Sequence, residues 1–115
     1  MQLDEPAIAA MHACGLEVAV ETNGTRSVPA GIDWLCVSPK ANAELLVRSG
    51  DELKLVFPQA GAEPELYADL DFRNFFLQPM DGAALAENTR LAVAYCLSHP
   101  RWRLSLQTHK LLGLR

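Results

Sequence analysis

Apolar and polar positions recur along this chain in two periods, and the changes from one to the other mark its elements. Ala7, Ile8, Ala10, Met11 and Cys14 return at helical spacing. Asp4 stands where a cap would sit, Pro6 falls in the first turn, and Gly15 ends the segment as a C′ residue does. In "LEVAVET", Leu16, Val18 and Val20 alternate with Glu17 and Ala19, which predicts a strand. "NGTRSVPAG" follows as a loop opened by an Asn-Gly turn signal.

"IDWLCVSPK" predicts a second strand, and its nearly continuous apolar middle is the pattern of a strand covered on both faces. "ANAELLVRSGD" reads as a short helical or irregular connection. "ELKLVFPQ" is a third strand, with Leu53, Leu55 and Phe57 on one face and Lys54 and Val56 on the other. A loop holding Gly61 and Pro64 leads to "ELYADLDF", a weak helix at best, and "NFFLQPMD" is a fourth strand. "GAALAENTRLAVAYCLSHP" carries the strongest helical pattern. Its predicted buried stripe is Leu85, Leu91, Ala92, Tyr95 and Cys96, and Pro100 closes it. "RLSLQTH" alternates into a fifth strand, and "KLLGLR" is a short tail. No internal repeat, low-complexity tract or linker divides the chain, so residues 1–115 are expected to form a single domain.

Strands separated by helices or longer crossings imply an α/β fold with parallel pairing and right-handed connections. Ligands of such sheets lie beyond the carboxyl ends of the strands. Four of these ends are polar here: "ETNGT", "SPK", "QPMD" and "QTHK". One polar end is an ordinary turn, whereas several at one rim make a binding site.

Composition narrows the picture. Half the residues are hydrophobic and 21% are charged, which favours a folded segment over a disordered one. With a net charge of −4 and no Lys/Arg cluster, the basic face of a nucleic-acid binder is missing, so no nucleic-acid partner is expected. No apolar run approaches the roughly 20 residues that span a bilayer. The acidic, amphipathic "MQLDEPAIAA" does not read as a signal peptide. A membrane partner is therefore not expected, and a cytoplasmic location is. Cys14, Cys36 and Cys96, odd in number and widely spaced, read as reduced thiols, buried as small hydrophobes, with no metal-ligand spacing.

Taken in order, "VETNGT", "GIDWLCVSPK", "ELKLVFPQ", "FFLQPMD" and "NTRLAVAYCLSHPRWRLSLQTHKLLGLR" resemble the C-terminal part of the 7-carboxy-7-deazaguanine synthase family. These are the radical S-adenosylmethionine lyases of 7-deazapurine (queuosine) biosynthesis. The resemblance implies the C-terminal half of a partial, compressed (β/α) barrel. The family's three-cysteine cluster loop and Gly-Gly-Glu-Pro strand end are not in this sequence. It also implies the reaction: 6-carboxy-5,6,7,8-tetrahydropterin becomes 7-carboxy-7-deazaguanine through ring contraction and loss of ammonia. The implied cofactors are S-adenosylmethionine, a [4Fe-4S] cluster and Mg²⁺; the implied partner is a pterin substrate, and a homo-oligomer, a homodimer, is expected besides. Ligands for the cluster and for Mg²⁺ are not expected in this chain, nor is any catalytic residue.

By the same resemblance, Ser38, Pro39 and Lys40 contact S-adenosylmethionine, and Gln78, Pro79, Met80 and Asp81 form a second contact. Their chemistry suits the role: hydroxyl and amide groups for ribose and adenine edges, and a soft thioether for an apolar surface. The plainer readings are a Ser-Pro turn and a strand end whose Asp81 caps the helix from Ala83. Thr22 and Asn23 are further cofactor candidates, against an ordinary Asn-Gly turn. Arg115, through its terminal carboxylate, and His109 are implied at the substrate, against a frayed terminus. His12 and His99 read as surface or helix-end residues. The first expectation is a binding surface without its cluster machinery, inactive alone. The second is a truncated, non-catalytic domain with an unpaired strand edge and an uncovered apolar face, acting through self-association or a partner chain.

Overall fold

A computed structural model of the chain describes residues 4–105. Five strands form one all-parallel sheet in the order β1-β2-β3-β4-β5, accompanied by two α-helices. Helix α1 (Glu5–Ala13) precedes β1 (Ala19–Thr22) and β2 (Trp34–Val37). Strands β3 (Ser49–Phe57) and β4 (Asp71–Pro79) are the long central pair. Helix α2 (Leu85–Ser98) then leads to β5 (Trp102–Leu104). The expected α/β class and parallel pairing are what the backbone adopts. None of the helices among the described residues is long and apolar enough to cross a membrane.

Alternation divides the sheet into two unlike faces. Register partners in a parallel ladder project to the same side. One side therefore carries Leu53 with Phe75 and Leu55 with Leu77, all nearly or fully buried. Ala92 of α2, Trp102 and the loop residues Ala62 and Tyr67 complete this core. Aromatic contacts seat the edges: Phe75 meets Trp102 at 5.2 Å, and Phe57 meets Tyr95 at 5.5 Å between centroids. The opposite side carries Glu21, Cys36, Glu52 and Asn74 in one row, then Lys54, Phe76 and Arg103 in the next.

The second strand is thus not covered on both faces: Trp34 is 41% exposed on the polar side. Nor is the open face simply apolar, since charged and amide groups alternate there with Trp34, Val56 and Phe76. β1 pairs only with β2, so its other edge carries no strand among the described residues.

Several boundaries move for local reasons. β1 starts at Ala19, not Leu16, because the Val18 amide is taken by the Asp33 side chain, although the Val18 carbonyl still accepts from the Trp34 amide (3.2 Å). The Asp33 amide donates to the Val18 carbonyl (2.8 Å), and the Val18 amide donates to the Asp33 carboxylate (2.6 Å). Leu16, just after the left-handed Gly15, is left 57% exposed. Cys14 is exposed as well, since it caps the end of α1 instead of facing the sheet. The stretch "ELYADLDF" forms only a 3₁₀ turn at Pro64–Leu66, and its last two residues join β4 beside Ser49 and Gly50. Before β3 the chain is irregular, and β3 itself begins three residues earlier than "ELKLVFPQ". Helix α2 begins at Leu85 with Ala84 in the cap position. Asp81 instead accepts from the Gly82 amide at 2.9 Å, so it does not cap α2. Only the first part of "RLSLQTH" falls within the described residues; there, Trp102 joins Arg103 and Leu104 in β5.

Helix α1 is tied to the sheet at the amino ends of the strands. Ile8 is buried against Gly31, and His12 Nε2 lies 2.8 Å from Asp33 Oδ2. The Val18 amide, with help from His12, holds the Asp33 carboxyl below its ordinary 3.8.

Two outcomes follow from this packing. Leu55→Ala removes a fully buried side chain between β3 and the core. It should lower unfolding stability in urea by about 2–5 kcal/mol, and a loss below about 1 kcal/mol would contradict the burial. The lowered Asp33 pKa means stability that is complete above the ordinary carboxyl value and lost as pH falls through the lowered one. Asp33→Asn should therefore flatten the acid limb of a melting-temperature profile, and an unchanged limb would refute the bond.

Candidate functional site

The carboxyl ends of β1 to β4 form one rim, and specific bonds join them across the sheet. The Ser38 amide extends the β1–β2 ladder by donating to the Thr22 carbonyl at 2.7 Å. From there "SPK" bends toward the end of β3, where the Ala41 amide donates to Gln59 Oε1 at 2.8 Å. The Met80 amide donates to the Phe57 carbonyl at 2.8 Å, which brings "QPMD" to the same end. Asn88 of α2 then donates from Nδ2 to the Met80 carbonyl at 3.1 Å. "SPK" and "QPMD" thus flank the end of β3, on one side of the molecule.

Within this rim the candidates differ in what they present. Ser38 and Pro39 are buried, as is Pro79, so the two prolines shape the strand exits. Lys40 is exposed and makes no ion pair among the described residues. Gln78 is half-buried beside Val56, on the polar face of the sheet. Met80 is 37% exposed, and Asp81 is exposed at the mouth of the α2 loop. Thr22 Oγ1 accepts from the Gly24 amide (3.1 Å), and Asn23 Oδ1 accepts from the backbone and hydroxyl of Thr25 (3.1 and 2.8 Å). Those oxygens are spent on the turn, which leaves the Asn23 amide nitrogen to face outward chemistry. Gly24 is required here: its φ is +76°, and an added Cβ would lie 2.5 Å from Leu45 Cδ1. His109 and Arg115 lie outside the described residues. His12 and His99 sit at the ends of α1 and α2, His99 stacked on Tyr95 at 3.9 Å.

A second group, which sequence reasoning did not raise as a site, lies on the polar face just below the rim. An open hollow of about 270 Å³ is lined by Glu21, Trp34, Cys36, Glu52 and Lys54. Lys54 Nζ pairs with Glu21 Oε1 at 3.0 Å, and the Cys36 thiol donates to Glu52 Oε2 at 3.1 Å. Burial pulls the Lys54 ammonium down, but the Glu21 hydrogen bond and charge outweigh it and leave its pKa raised. Burial, reinforced by Glu52, pushes the Cys36 thiol up to about 12. The signal was legible: Glu52 and Lys54 alternate with Leu53 and Leu55 in a central strand, where a charge must face a cavity or water. A larger hollow of about 370 Å³, lined by Tyr95, His99, Arg101 and Trp102 among others, opens at the amino end of β5, away from the rim.

The cysteines do not converge. Cys14 ends α1, Cys36 lies in β2 and Cys96 in α2. Among the described residues no group of three or more His, Cys, Asp and Glu side chains is placed to hold a metal ion.

No protein-family model matches the chain. Among curated proteins, 7-carboxy-7-deazaguanine synthase of Caulobacter vibrioides is 67% identical over 114 residues, 99% of this chain and 54% of that protein. The protein of the same name from Bordetella pertussis is 62% identical over 99% of this chain and 54% of its own. That of Bradyrhizobium diazoefficiens is 59% identical over the whole chain and 55% of its own. The chain spans about half the length of these relatives, and throughout it is similar to their C-terminal part.

The environment of Cys36 makes its reactivity a direct probe of the polar face. The stability that the protonated thiol contributes is complete below its ordinary 9.0 and is lost as pH rises toward about 12. At pH near 8 the thiolate fraction is on the order of one part in ten thousand. Iodoacetamide followed by mass spectrometry should therefore label exposed Cys14 well before Cys36. Glu52→Gln should accelerate Cys36 only in part, because burial is the larger cause. Equal labelling of the two cysteines in the unaltered chain would contradict the arrangement.

Proposed function

We propose that this chain is the S-adenosylmethionine-binding, C-terminal portion of a 7-carboxy-7-deazaguanine synthase. The whole protein would convert 6-carboxy-5,6,7,8-tetrahydropterin to 7-carboxy-7-deazaguanine with loss of ammonia. The observation that carries this reading is the meeting of Ser38–Lys40 and Gln78–Asp81 around the end of β3 in an all-parallel sheet. Identity of 59–67% to relatives of that name supports it across nearly every residue.

The donor set fits the cofactor. Lys40 offers an exposed ammonium, Asn23 an amide nitrogen, Gln78 a paired donor and acceptor, and Met80 an exposed thioether surface. Ser38 brings a buried hydroxyl to the same rim and Thr22 a hydroxyl hydrogen, its oxygen being held by the Gly24 amide, while buried Pro39 and Pro79 fix the strand exits. When bound, S-adenosylmethionine would supply radical chemistry only on receiving one electron from a reduced iron–sulfur cluster held outside residues 4–105. The part of this chain is to bind and orient it, with Asp81 at the edge of the same segment.

An iron–sulfur cluster does not fit this chain's cysteines. They stand on three separate elements, and Cys36 is held protonated, whereas cluster ligands are thiolates. We therefore assign no cluster chemistry to residues 4–105. Mg²⁺ and the pterin at His109 and Arg115 belong to the same proposal through the resemblance, a homodimer through the strand edge left unpaired among the described residues, and a cytoplasmic location through the N-terminal sequence.

Calorimetric titration with S-adenosylmethionine is the direct test. The chain should bind it saturably, and Lys40→Ala and Asn23→Ala should each weaken binding by roughly tenfold, about 1.4 kcal/mol. Absence of saturable heat at millimolar cofactor would sink the reading. After anaerobic reconstitution with iron, sulfide and a reductant, no 5′-deoxyadenosine should form. Its appearance would place cluster chemistry in this chain after all.

A further inference from the structure

Backbone pairing between β2 and β3 stops at Val37 and Leu53, although β3 runs on to Phe57. Beyond that point "SPK" keeps its ladder bond to β1 through the Ser38 amide but has no ladder partner in β3. One side chain closes the gap. Gln59 Oε1 accepts from the Ala41 amide at 2.8 Å, while Gln59 Nε2 donates to the Val56 carbonyl at 3.2 Å. A primary amide, with an acceptor and a donor side by side, can hold both backbones at once.

Two further features show that the loops meet closely at this bridge. Gly61 has φ +86°, and an added Cβ would lie 3.3 Å from Ala41 Cβ. Asn42, on the facing loop, is itself left-handed at φ 64°. Next to Gly61, Ala62 is fully buried, and its amide donates to the Gln59 carbonyl at 3.0 Å. Gln59 is therefore half-buried on a backbone anchored from both sides.

We infer that Gln59 is a positioning residue: it sets the distance of the Ser38–Lys40 segment from the end of β3, and through it the placement of Lys40 on the rim. Its bearing on the cofactor rests on the function proposed above. The bridge itself does not. Gln59 touches no reacting group and acts through Ala41.

The test separates the hydrogen bond from mere packing. Gln59→Met keeps the length of the side chain but removes both polar groups; Gln59→Glu keeps the acceptor for Ala41 and gives up the donor to Val56. Two readouts apply to both variants: amide hydrogen exchange of Ala41 by NMR, and calorimetric affinity for S-adenosylmethionine. In the Met variant Ala41 should exchange roughly tenfold faster and the cofactor bind roughly tenfold more weakly, as one lost hydrogen bond would produce. The Glu variant should recover part of both, since Ala41 regains its acceptor while the Val56 carbonyl loses its donor. Met and Glu behaving alike would overturn the inference, since packing would then suffice. So would unchanged Ala41 exchange in the Met variant, or faster exchange with unchanged affinity. Failure of the unaltered chain to bind the cofactor would overturn the proposed function instead, and the exchange pattern would still decide whether Gln59 holds the loop.

Discussion

The parallel register of β3 on β4 is the constraint on which every other placement depends. It runs from Ser49 beside Asp71 to Phe57 beside Pro79. Because side chains alternate along a strand, a slip of one residue would send Leu53 and Leu55 to the open face and Lys54 into the core. Burying an unpaired ammonium among Leu77, Phe75 and Ala92 would cost far more than the ladder could return. The core thus enforces the register, and the register sets where both rim segments emerge. β4 ends level with β3, so the Met80 amide reaches the Phe57 carbonyl, whereas β2 stops well short of that level.

This logic explains what could be read from the letters. The pattern of "ELKLVFPQ" separates Leu53, Leu55 and Phe57 from Lys54 and Val56, and the structure keeps that division, because a central strand has no freedom to ignore it. The polar strand ends were legible for the same reason: prolines and amides after an apolar run mark an exit from a sheet. Less visible were features governed by partners distant in sequence. Val18 looks like a strand residue, yet the Asp33 carboxylate takes its amide, and nothing near Val18 announces that. Asp81 resembles a helix cap, but Gly82 at φ +122° takes the chain elsewhere before α2 begins. Cys14 keeps helical spacing and still ends exposed, since periodicity names a face and not what covers it.

The polar face was half legible. Glu52 and Lys54 stood in plain view as charges in a central strand. Their partners, Cys36 and Glu21, follow only once the register places Cys36 in the row of Glu52 and Glu21 one row from Lys54. The Glu21–Lys54 pair adds little to stability, because Glu21 is 55% exposed and solvent screens the attraction. Facing solvent, this charged row keeps the open side of the sheet distinct from the core side.

A binding rim makes opposed demands on a sheet. Strand ends must be rigid, because loosely held groups bind weakly, and they must also diverge, because fully paired strands leave no space for a ligand. Here divergence begins where β2 leaves β3, and rigidity is recovered by other means. Pro39 and Pro79 are buried, so the turns out of the strands are held by packing. Beyond them, side-chain amides take over from the backbone ladder: Gln59 spans to Ala41 on one flank and Asn88 reaches Met80 on the other. An amide makes such a bridge without adding charge, so it braces the rim without altering the balance between the ammonium of Lys40 and the carboxylate of Asp81 at the same end of the sheet.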